Sequence, residues 1–211
     1  MPLDTLEIET GDQPRATILL LHGLGADGGD FAPLAQELDL AAVGPVRFVF
    51  PNAPEMAVTI NAGYVMPAWY DIAHPDLQQQ EDAQGLRRSQ AAVEALLARE
   101  KARGIPASRI VLAGFSQGCA VALMTGLRHA EPLAGIAGLS GYLPLLGDTP
   151  AERHAANAGT PVFLAHGRQD DVVPISAARS ARDALQSLGH AVRWHDYPMA
   201  HSVCEDEIAD L

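Results

Sequence analysis

The sequence predicts an α/β fold in which a mainly parallel central sheet is flanked by helices. Short apolar runs alternate along the chain with longer segments whose apolar residues recur at helical spacing, which is typical of strand–helix–strand units. The chain has 211 residues, of which 48% are hydrophobic and 19% charged, and this indicates a globular protein with a sizeable core. It shows no repeat, linker or low-complexity tract, so we expect residues 1–211 to form a single domain.

The predicted strands are short runs rich in Val, Ile, Leu and Phe. An opening strand at about residues 3–8 is expected to pair antiparallel at the edge of the sheet. The remaining strands are expected at residues 17–21, 46–50, 109–113, 133–139, 161–166 and 192–197.

Helices are predicted at residues 81–104, 117–129 and 176–189, and two of them end at a glycine that can stop a helix. The stretch 52–80 is expected to be irregular but ordered, with exposed apolar residues at Val58, Ile60 and Val65. Residues 205–211 predict the first turns of a helix that stops before it covers anything, so we expect a truncated C-terminal helix.

Charge and cysteine content exclude several classes of protein. The formal net charge of −12 argues against a nucleic-acid-binding surface, which needs clustered Lys and Arg. Two cysteines without a CxxC pair do not make a disulfide framework. The acidic N-terminus lacks the features of a signal peptide, and the apolar run at 16–21 is too short to span a bilayer. These observations predict a cytoplasmic protein without an integral membrane segment.

The segment GFSQG at residues 114–118 matches the nucleophile elbow G-x-S-x-G. A predicted strand precedes it and a predicted helix follows, as an elbow requires. Glycines are needed on both sides of the serine because a Cβ there would collide with neighbouring backbone. We therefore predict Ser116 as a catalytic nucleophile, against the alternative of an ordinary turn serine.

An acid and a base are expected later in the chain, in the order Ser, Asp, His. Asp170 follows the predicted strand at 161–166 and is preferred over its neighbour Asp171, while His166 is expected to fix that loop. For the base, His201 is preferred because it lies in a loop between the last strand and the last helix. His195 lies inside a strand, and His190 is expected to be exposed after a helix end.

Acyl transfer also needs donors for an oxyanion. The N–H of Gln117, directly after the nucleophile, is predicted as one, and the N–H of Leu24 in the glycine-rich segment 22–29 as the other. A phosphate-binding loop is the alternative for this segment, but the segment lacks both the Walker lysine and the GxGxxG spacing.

Three further assignments complete the predicted site. A metal site made of His22, His166, Asp170 and His201 has no supporting ligand spacing, and we expect neither a metal nor a cofactor. Cys119 is interpreted as a buried structural thiol instead of a second nucleophile. Met66 and Trp69 are predicted to form a substrate-binding wall, with ordinary core packing as the alternative.

With HGLGADG, WYDI, GFSQG, HGRQDDVVP and YPMAH in this order, the chain resembles the bacterial carboxylesterase and acyl-protein thioesterase family of α/β-hydrolases. The resemblance covers nearly the whole chain. It implies an α/β-hydrolase fold without a large lid domain, activity on carboxylic esters, thioesters or lysophospholipids, a triad at Ser116, Asp170 and His201, and oxyanion donors at Leu24 and Gln117. The family usually has a glycine where this chain has Cys119.

The expected function is therefore hydrolysis of short to medium acyl esters by a serine carboxylesterase. The alternatives are an acyl-protein thioesterase or a lysophospholipase, with an acylated protein or a lysophospholipid as the substrate. A non-enzymatic alternative is a catalytically silent hydrolase scaffold used for binding, which an intact triad disfavours.

Overall fold

The observed strands and helices follow the predicted alternation closely. The structure is a computed structural model that describes residues 3–211, and these residues form nine strands and six α-helices. The strands, numbered in chain order, are β1 (Thr5–Glu9), β2 (Ala16–Leu21), β3 (Val46–Pro51), β4 (Glu55–Val58), β5 (Tyr64–Pro67), β6 (Ile110–Phe115), β7 (Gly135–Leu139), β8 (Val162–Gly167) and β9 (Val192–Tyr197). The helices are α1 (Leu34–Glu37), α2 (Ala83–Ala102), α3 (Gln117–Arg128), α4 (Thr149–Glu152), α5 (Ile175–Ser187) and α6 (Glu205–Asp210).

Seven of the strands form one twisted sheet in the order β1-β3-β2-β6-β7-β8-β9. Every neighbouring pair is parallel except β1 with β3, which is antiparallel. The predicted mainly parallel sheet and its antiparallel edge strand are thereby confirmed. Strand β3 is buried along its whole length, as expected for an inner strand covered on both faces.

Helices cover both faces of this sheet. On one face, apolar residues of α2, α3 and α5 such as Leu97, Leu123 and Leu185 join the larger core cluster. On the other face, α1 and α6 pack on a smaller cluster that contains Phe48 and Phe50. The expectation that the segment at 205–211 covers nothing is wrong, because Ile208 and Leu211 of this segment pack against the smaller cluster.

A buried ion cluster joins α2 to the sheet. The Glu100 carboxylate is fully buried, and one of its oxygens accepts hydrogen bonds from Thr17 on β2 and Arg47 on β3, each at 2.9 Å. Arg103 donates to the other oxygen at 2.9 Å, and Arg47 also bonds to Glu9 on β1. The cluster thus connects one helix to three neighbouring strands.

The stretch 52–80 differs from the expected irregular segment, because β4 and β5 form an antiparallel hairpin inside it. The expectation that Val58 is exposed is wrong, since its side chain is fully buried. Ile60 and Val65 are exposed as expected, at 41% and 55%.

The expectation that His190 is exposed is wrong, because the residue is only 6% exposed and its backbone N–H donates to the Leu185 carbonyl oxygen at the end of α5. Within residues 3–211, no helix is both long and apolar enough to cross a membrane.

The parallel strands bring the predicted site residues to one edge of the sheet. Leu24 follows the end of β2, Ser116 follows β6, Asp170 follows β8 and His201 follows β9. Parallel strands present their carboxyl ends at the same edge, and loops at that edge commonly form the site of an α/β protein. These side chains are therefore positioned to converge.

Candidate active site

Ser116 lies on a sharp turn between β6 and α3. Its backbone has φ 55° and ψ −117°, a positive φ that a residue with a Cβ rarely adopts. The flanking glycines are required by close backbone approach: a Cβ on Gly114 would lie 2.2 Å from the carbonyl oxygen of Gly118, and one on Gly118 would lie 2.2 Å from that of Leu21. The turn therefore holds Ser116 in a strained conformation at the N-terminus of a helix.

The structure brings Ser116, His201 and Asp170 into one hydrogen-bonded line. His201 Nε2 lies 2.8 Å from Ser116 Oγ, and His201 Nδ1 lies 2.7 Å from Asp170 Oδ2. Because the ionised carboxylate only accepts, Nδ1 carries the proton and Nε2 can accept one from the serine. The Asp170 side chain is fully buried and that of His201 is 16% exposed, so the base reaches solvent while its partner does not.

The loop around Asp170 is held by further hydrogen bonds. Asp170 Oδ1 accepts from the backbone N–H groups of Val172 and Val173, at 2.9 and 2.8 Å. His166, fully buried at the end of β8, has its Nε2 at 2.8 Å from the Val173 carbonyl oxygen and 3.3 Å from Asp170 Oδ2. Burial lowers the pKa of His166, so the ring is neutral and Nε2 carries its proton toward these two acceptors. His166 thus fixes the loop, as the sequence analysis expects.

Both residues predicted as oxyanion donors lie near the serine, since Gln117 follows it in the chain and Leu24 lines the same cleft. Gln117 occupies the first position of α3, where a helix leaves its N–H groups free. The N–H of Leu24 makes no hydrogen bond to any acceptor within residues 3–211. The next amide, Gly25 N–H, donates to the Pro67 carbonyl oxygen at 2.9 Å, which anchors the loop to β5.

The buried His22 side chain holds the loop that carries Leu24 in place. Its ring is fully buried, with Nδ1 at 2.7 Å from the Gly23 carbonyl oxygen and Nε2 accepting from the Ala53 N–H at 3.0 Å. Burial lowers the pKa of His22, which keeps the ring neutral and preserves the lone pair that accepts this second bond. His22, two residues before Leu24, therefore links this loop to the segment that follows β3.

The side chain of Gln117 makes two hydrogen bonds that the sequence does not predict. Its Oε1 accepts from the backbone N–H of Trp69 and its Nε2 donates to the Tyr70 carbonyl oxygen, both at 2.7 Å. The Ser89 hydroxyl also donates to the Trp69 carbonyl oxygen. The residue after the nucleophile thereby fixes the segment that follows the β4–β5 hairpin.

The two residues predicted as a substrate wall lie in different surroundings. Trp69 is 2% exposed, and its indole N–H donates to the His22 carbonyl oxygen at 2.9 Å. The ring packs on His22 as part of the larger core cluster, so the alternative of core packing applies to Trp69. Met66 is half-buried, and its Sδ lies 3.5 Å from the position of a Cβ on Gly25, next to Leu24.

An open cleft of about 430 Å³ leads to Ser116 and His201. This volume is sufficient for a small ligand. Its walls are mostly apolar and come from the loops after β2, β6, β8 and β9. The apolar lining residues are Leu24, Ala26, Phe31, Phe115, Val172 and Val203.

Other reactive side chains lie outside the cleft or are inactive in it. Cys119 is 1% exposed, and burial strongly raises the pKa of its thiol, so it is a packed thiol and not a nucleophile. A Cβ on Gly141 would lie 2.4 Å from the Cβ of Cys119, which shows how closely the thiol is enclosed. Within residues 3–211, no three His, Cys, Asp or Glu side chains are grouped so that they could hold a metal ion.

Comparisons with known proteins agree with this architecture. Residues 3–211 match the family model described as phospholipase/carboxylesterase. An acyl-protein thioesterase 1 of Yarrowia lipolytica is 38% identical over 215 residues, covering 100% of this chain and 95% of that protein.

Solved structures show the same likeness. The crystal structure of Zea mays acyl-protein thioesterase 2 superposes with a TM-score of 0.84 at 30% identity, covering 97% of this chain and 94% of that one. The crystal structure of esterase PE8 gives a TM-score of 0.82 at 31% identity, with 99% and 95% covered.

The family predicted from the five motifs is confirmed. The acyl-protein thioesterases named above come from a fungus and a plant, whereas the resemblance names bacterial proteins. The fold is the predicted α/β-hydrolase fold without a large lid domain. The chain belongs to the phospholipase/carboxylesterase family, and it is a serine hydrolase of ester or thioester bonds.

Proposed function

We propose that this protein is a carboxylesterase that hydrolyses short to medium acyl esters through an acyl-enzyme on Ser116. The observation that carries the proposal is the line from Ser116 Oγ through His201 to Asp170, with hydrogen bonds of 2.8 and 2.7 Å. Ser116 and His201 of this line both face an open and largely apolar cleft.

In the first half of the reaction, His201 Nε2 takes the Ser116 proton as Oγ attacks the carbonyl carbon of the ester. The N–H groups of Leu24 and Gln117 stabilise the negative charge that develops on the carbonyl oxygen. The carbon–oxygen or carbon–sulfur bond then breaks, and His201 returns the proton to the departing alcohol or thiol. Asp170 keeps the imidazole oriented and stabilises its positive charge.

In the second half, water replaces the departed alcohol or thiol. His201 removes a proton from the water, whose oxygen attacks the acyl carbon of the acyl-enzyme. The bond to Ser116 Oγ breaks, and His201 gives the proton to the serine. We propose Met66, beside the oxyanion loop, as part of the acyl-binding wall, and core packing in place of substrate contact for the buried Trp69. No step requires a cofactor.

A second candidate is protein deacylation or lysophospholipid hydrolysis by the same residues. The thioesterase candidate is supported by the acyl-protein thioesterases among the relatives, and the lysophospholipase candidate by the family's phospholipase description. The chemistry is identical because a thioester also passes through an acyl-enzyme. The candidate functions differ in the length of the acyl chain that is hydrolysed and in whether it is bound as an ester or a thioester.

We also propose one domain and a cytoplasmic location, with a small ester or thioester as partner and no nucleic acid. The single seven-stranded sheet supports the domain assignment. The low cysteine content and the net charge of −12 support the location and the absence of nucleic-acid binding.

The test is a series of p-nitrophenyl esters and matched thioesters from acetyl to palmitoyl, measured on the wild type and on Ser116→Ala. We expect the highest kcat/KM at short to medium esters and a loss of about 10⁴-fold or more in Ser116→Ala, because the nucleophile is removed. Ser202→Ala is the matched control, since Ser202 lines the same cleft and its hydroxyl makes no hydrogen bond within residues 3–211. A maximum at palmitoyl thioesters would favour protein deacylation instead, and full activity of Ser116→Ala would exclude the mechanism.

A further inference from the structure

We propose that Asp30 determines the charge preference of the cleft, so that the enzyme favours neutral and cationic esters over esters with a negative charge near the scissile bond. This inference rests on the proposed function, because it concerns the substrate class of the same cleft. It assigns a specificity role to a residue that takes no part in the mechanism described above.

Asp30 lies at the edge of the cleft next to the oxyanion loop. It belongs to the 3₁₀ turn Gly28–Phe31, which follows that loop and presents both Asp30 and Phe31 to the cleft. Its charge reaches the loop, since Asp27 and Asp30 each act to raise the pKa of His22 against the larger effect of burial. The charge of Asp30 therefore acts on the loop that carries the Leu24 N–H.

The Asp30 carboxylate is free to interact with a ligand. The residue is exposed, and its side chain makes no hydrogen bond or ion pair with any of residues 3–211. Asp27 differs, because its carboxylate accepts from the Gly29 N–H at 2.7 Å and caps the turn. Replacing the Asp30 carboxylate thus removes charge without removing a structural contact.

No other formal charge in the cleft opposes that of Asp30. No lysine or arginine is among the residues that line the cleft, and apart from His201 the remaining lining residues are uncharged. Two of them are aromatic: Phe31 and Phe115 lie with ring centroids 5.6 Å apart, and aromatic faces attract cations. A carboxylate or phosphate on a substrate would meet repulsion here, whereas a trimethylammonium group would be attracted.

The expected effect is moderate because the cleft is open to water. Unit charges about 8 Å apart at a partly solvated surface change a rate about threefold to tenfold by Coulomb's law. Salt weakens such an effect, since the Debye length is about 10 Å at 0.1 M ionic strength. A substrate preference that weakens as salt is added is electrostatic, whereas a preference that depends on substrate shape does not change with salt.

The test compares the wild type with Asp30→Asn on two pairs of substrates that differ in charge but little in shape. One pair is the choline ester of butyric acid and its uncharged isostere with a tert-butyl group. The other is the p-nitrophenyl hemiester of glutaric acid, which is anionic, and p-nitrophenyl pentanoate. We expect Asp30→Asn to raise the anionic-to-neutral ratio of kcat/KM about threefold to tenfold and to lower the cationic-to-neutral ratio similarly.

Asp12→Asn is the matched control. Asp12 is exposed, without hydrogen bond or ion pair to residues 3–211, and it precedes β2 at the opposite edge of the sheet. We expect it to leave both ratios unchanged, and we expect higher salt to bring the wild-type ratios toward those of Asp30→Asn. Unchanged ratios in Asp30→Asn would overturn the inference while leaving the proposed function intact. If the wild type hydrolysed neither neutral ester, the proposed function itself would fail.

Discussion

His166 illustrates how a single buried residue supports the reaction without touching the substrate. Its Nε2 faces the Val173 carbonyl oxygen and Asp170 Oδ2, so it fixes the loop that holds Asp170 against His201. We expect His166→Phe, which keeps a ring but loses the donor, to lower kcat about tenfold with little change in KM. The hydrogen bond of the neutral His166 ring to the Val173 carbonyl oxygen contributes about 0.5–1.5 kcal/mol, and about 1.4 kcal/mol corresponds to a factor of ten.

His166→Gln should recover part of the lost kcat, because its amide can reach the position of Nε2. The measurement is kcat and KM on one neutral p-nitrophenyl ester. His190→Phe serves as the control, since His190 is similarly buried but its ring nitrogens lack hydrogen-bond partners within the described chain. Equal losses of kcat in the two phenylalanine variants would show that His166 acts only through general stability.

At the same scale, the sequence predicts the proposed reacting residues better than the hydrogen bonds that hold the neighbouring segments in place. Ser116, Asp170 and His201 could be identified because each lies in a recognisable turn after a strand and their order is that of the fold family. The hydrogen bonds of the Gln117 side chain could not, because they join residues 47 and 48 positions apart in sequence. The inward position of Trp69 likewise depends on a hydrogen bond to the His22 carbonyl oxygen, which no local sequence pattern predicts.

At the scale of elements, prediction succeeds where a strand is buried on both faces. Strands β2, β3 and β6 appear in the sequence as short, largely apolar runs, with Thr17 in β2 and Arg47 in β3 as polar exceptions, so their bounds are nearly those expected. The β4–β5 hairpin was missed because its strands are four residues long and mostly exposed or half-buried. The packing of α6 was missed for a similar reason, since a helix of six residues shows too little periodicity to indicate which face is covered.

The link between α2 and the sheet yields a prediction about stability. We expect Glu100→Ala to lower the free energy of unfolding by about 3–5 kcal/mol, since it leaves the buried Arg47 without its main partner. For a chain of this size, that corresponds to a Tm lower by about 6–20 °C.

Calorimetry or thermal circular dichroism would measure this change. Asp183→Ala is the control, because Asp183 forms an exposed pair with Arg182, and such pairs contribute about 0–1 kcal/mol. A loss in Glu100→Ala no larger than that in the control would mean that the cluster does not hold α2 to the sheet.

At the scale of the whole molecule, Glu207 makes stability depend on pH. This carboxyl group of α6 is fully buried, and burial raises its pKa from 4.5 to about 7 although the nearby backbone N–H of Cys204 acts to lower it. Between these values the folded state holds a proton that the unfolded state has lost, so stability falls as pH rises. The total loss approaches about 3 kcal/mol once the pH exceeds the folded pKa.

Glu207→Gln should remove this dependence, because the amide does not titrate. We expect urea unfolding to show the variant gaining stability relative to the wild type between about pH 5 and about pH 8. Glu205→Gln, on the exposed side of the same helix, should leave the pH dependence of the wild type unchanged. A wild-type-to-variant difference that stays constant with pH would contradict the assignment.

The nearly uniform strand direction gives the molecule two unlike ends. The cleft opens beyond the carboxyl ends of β2, β6, β8 and β9, whereas the turns that precede these strands lie at the opposite end. Gly159, exposed before β8 with no heavy atom within 4 Å of a Cβ placed on it, offers room for a linker at that opposite end. If the enzyme were attached to a solid support through this turn, the cleft of each immobilised molecule would face the solution.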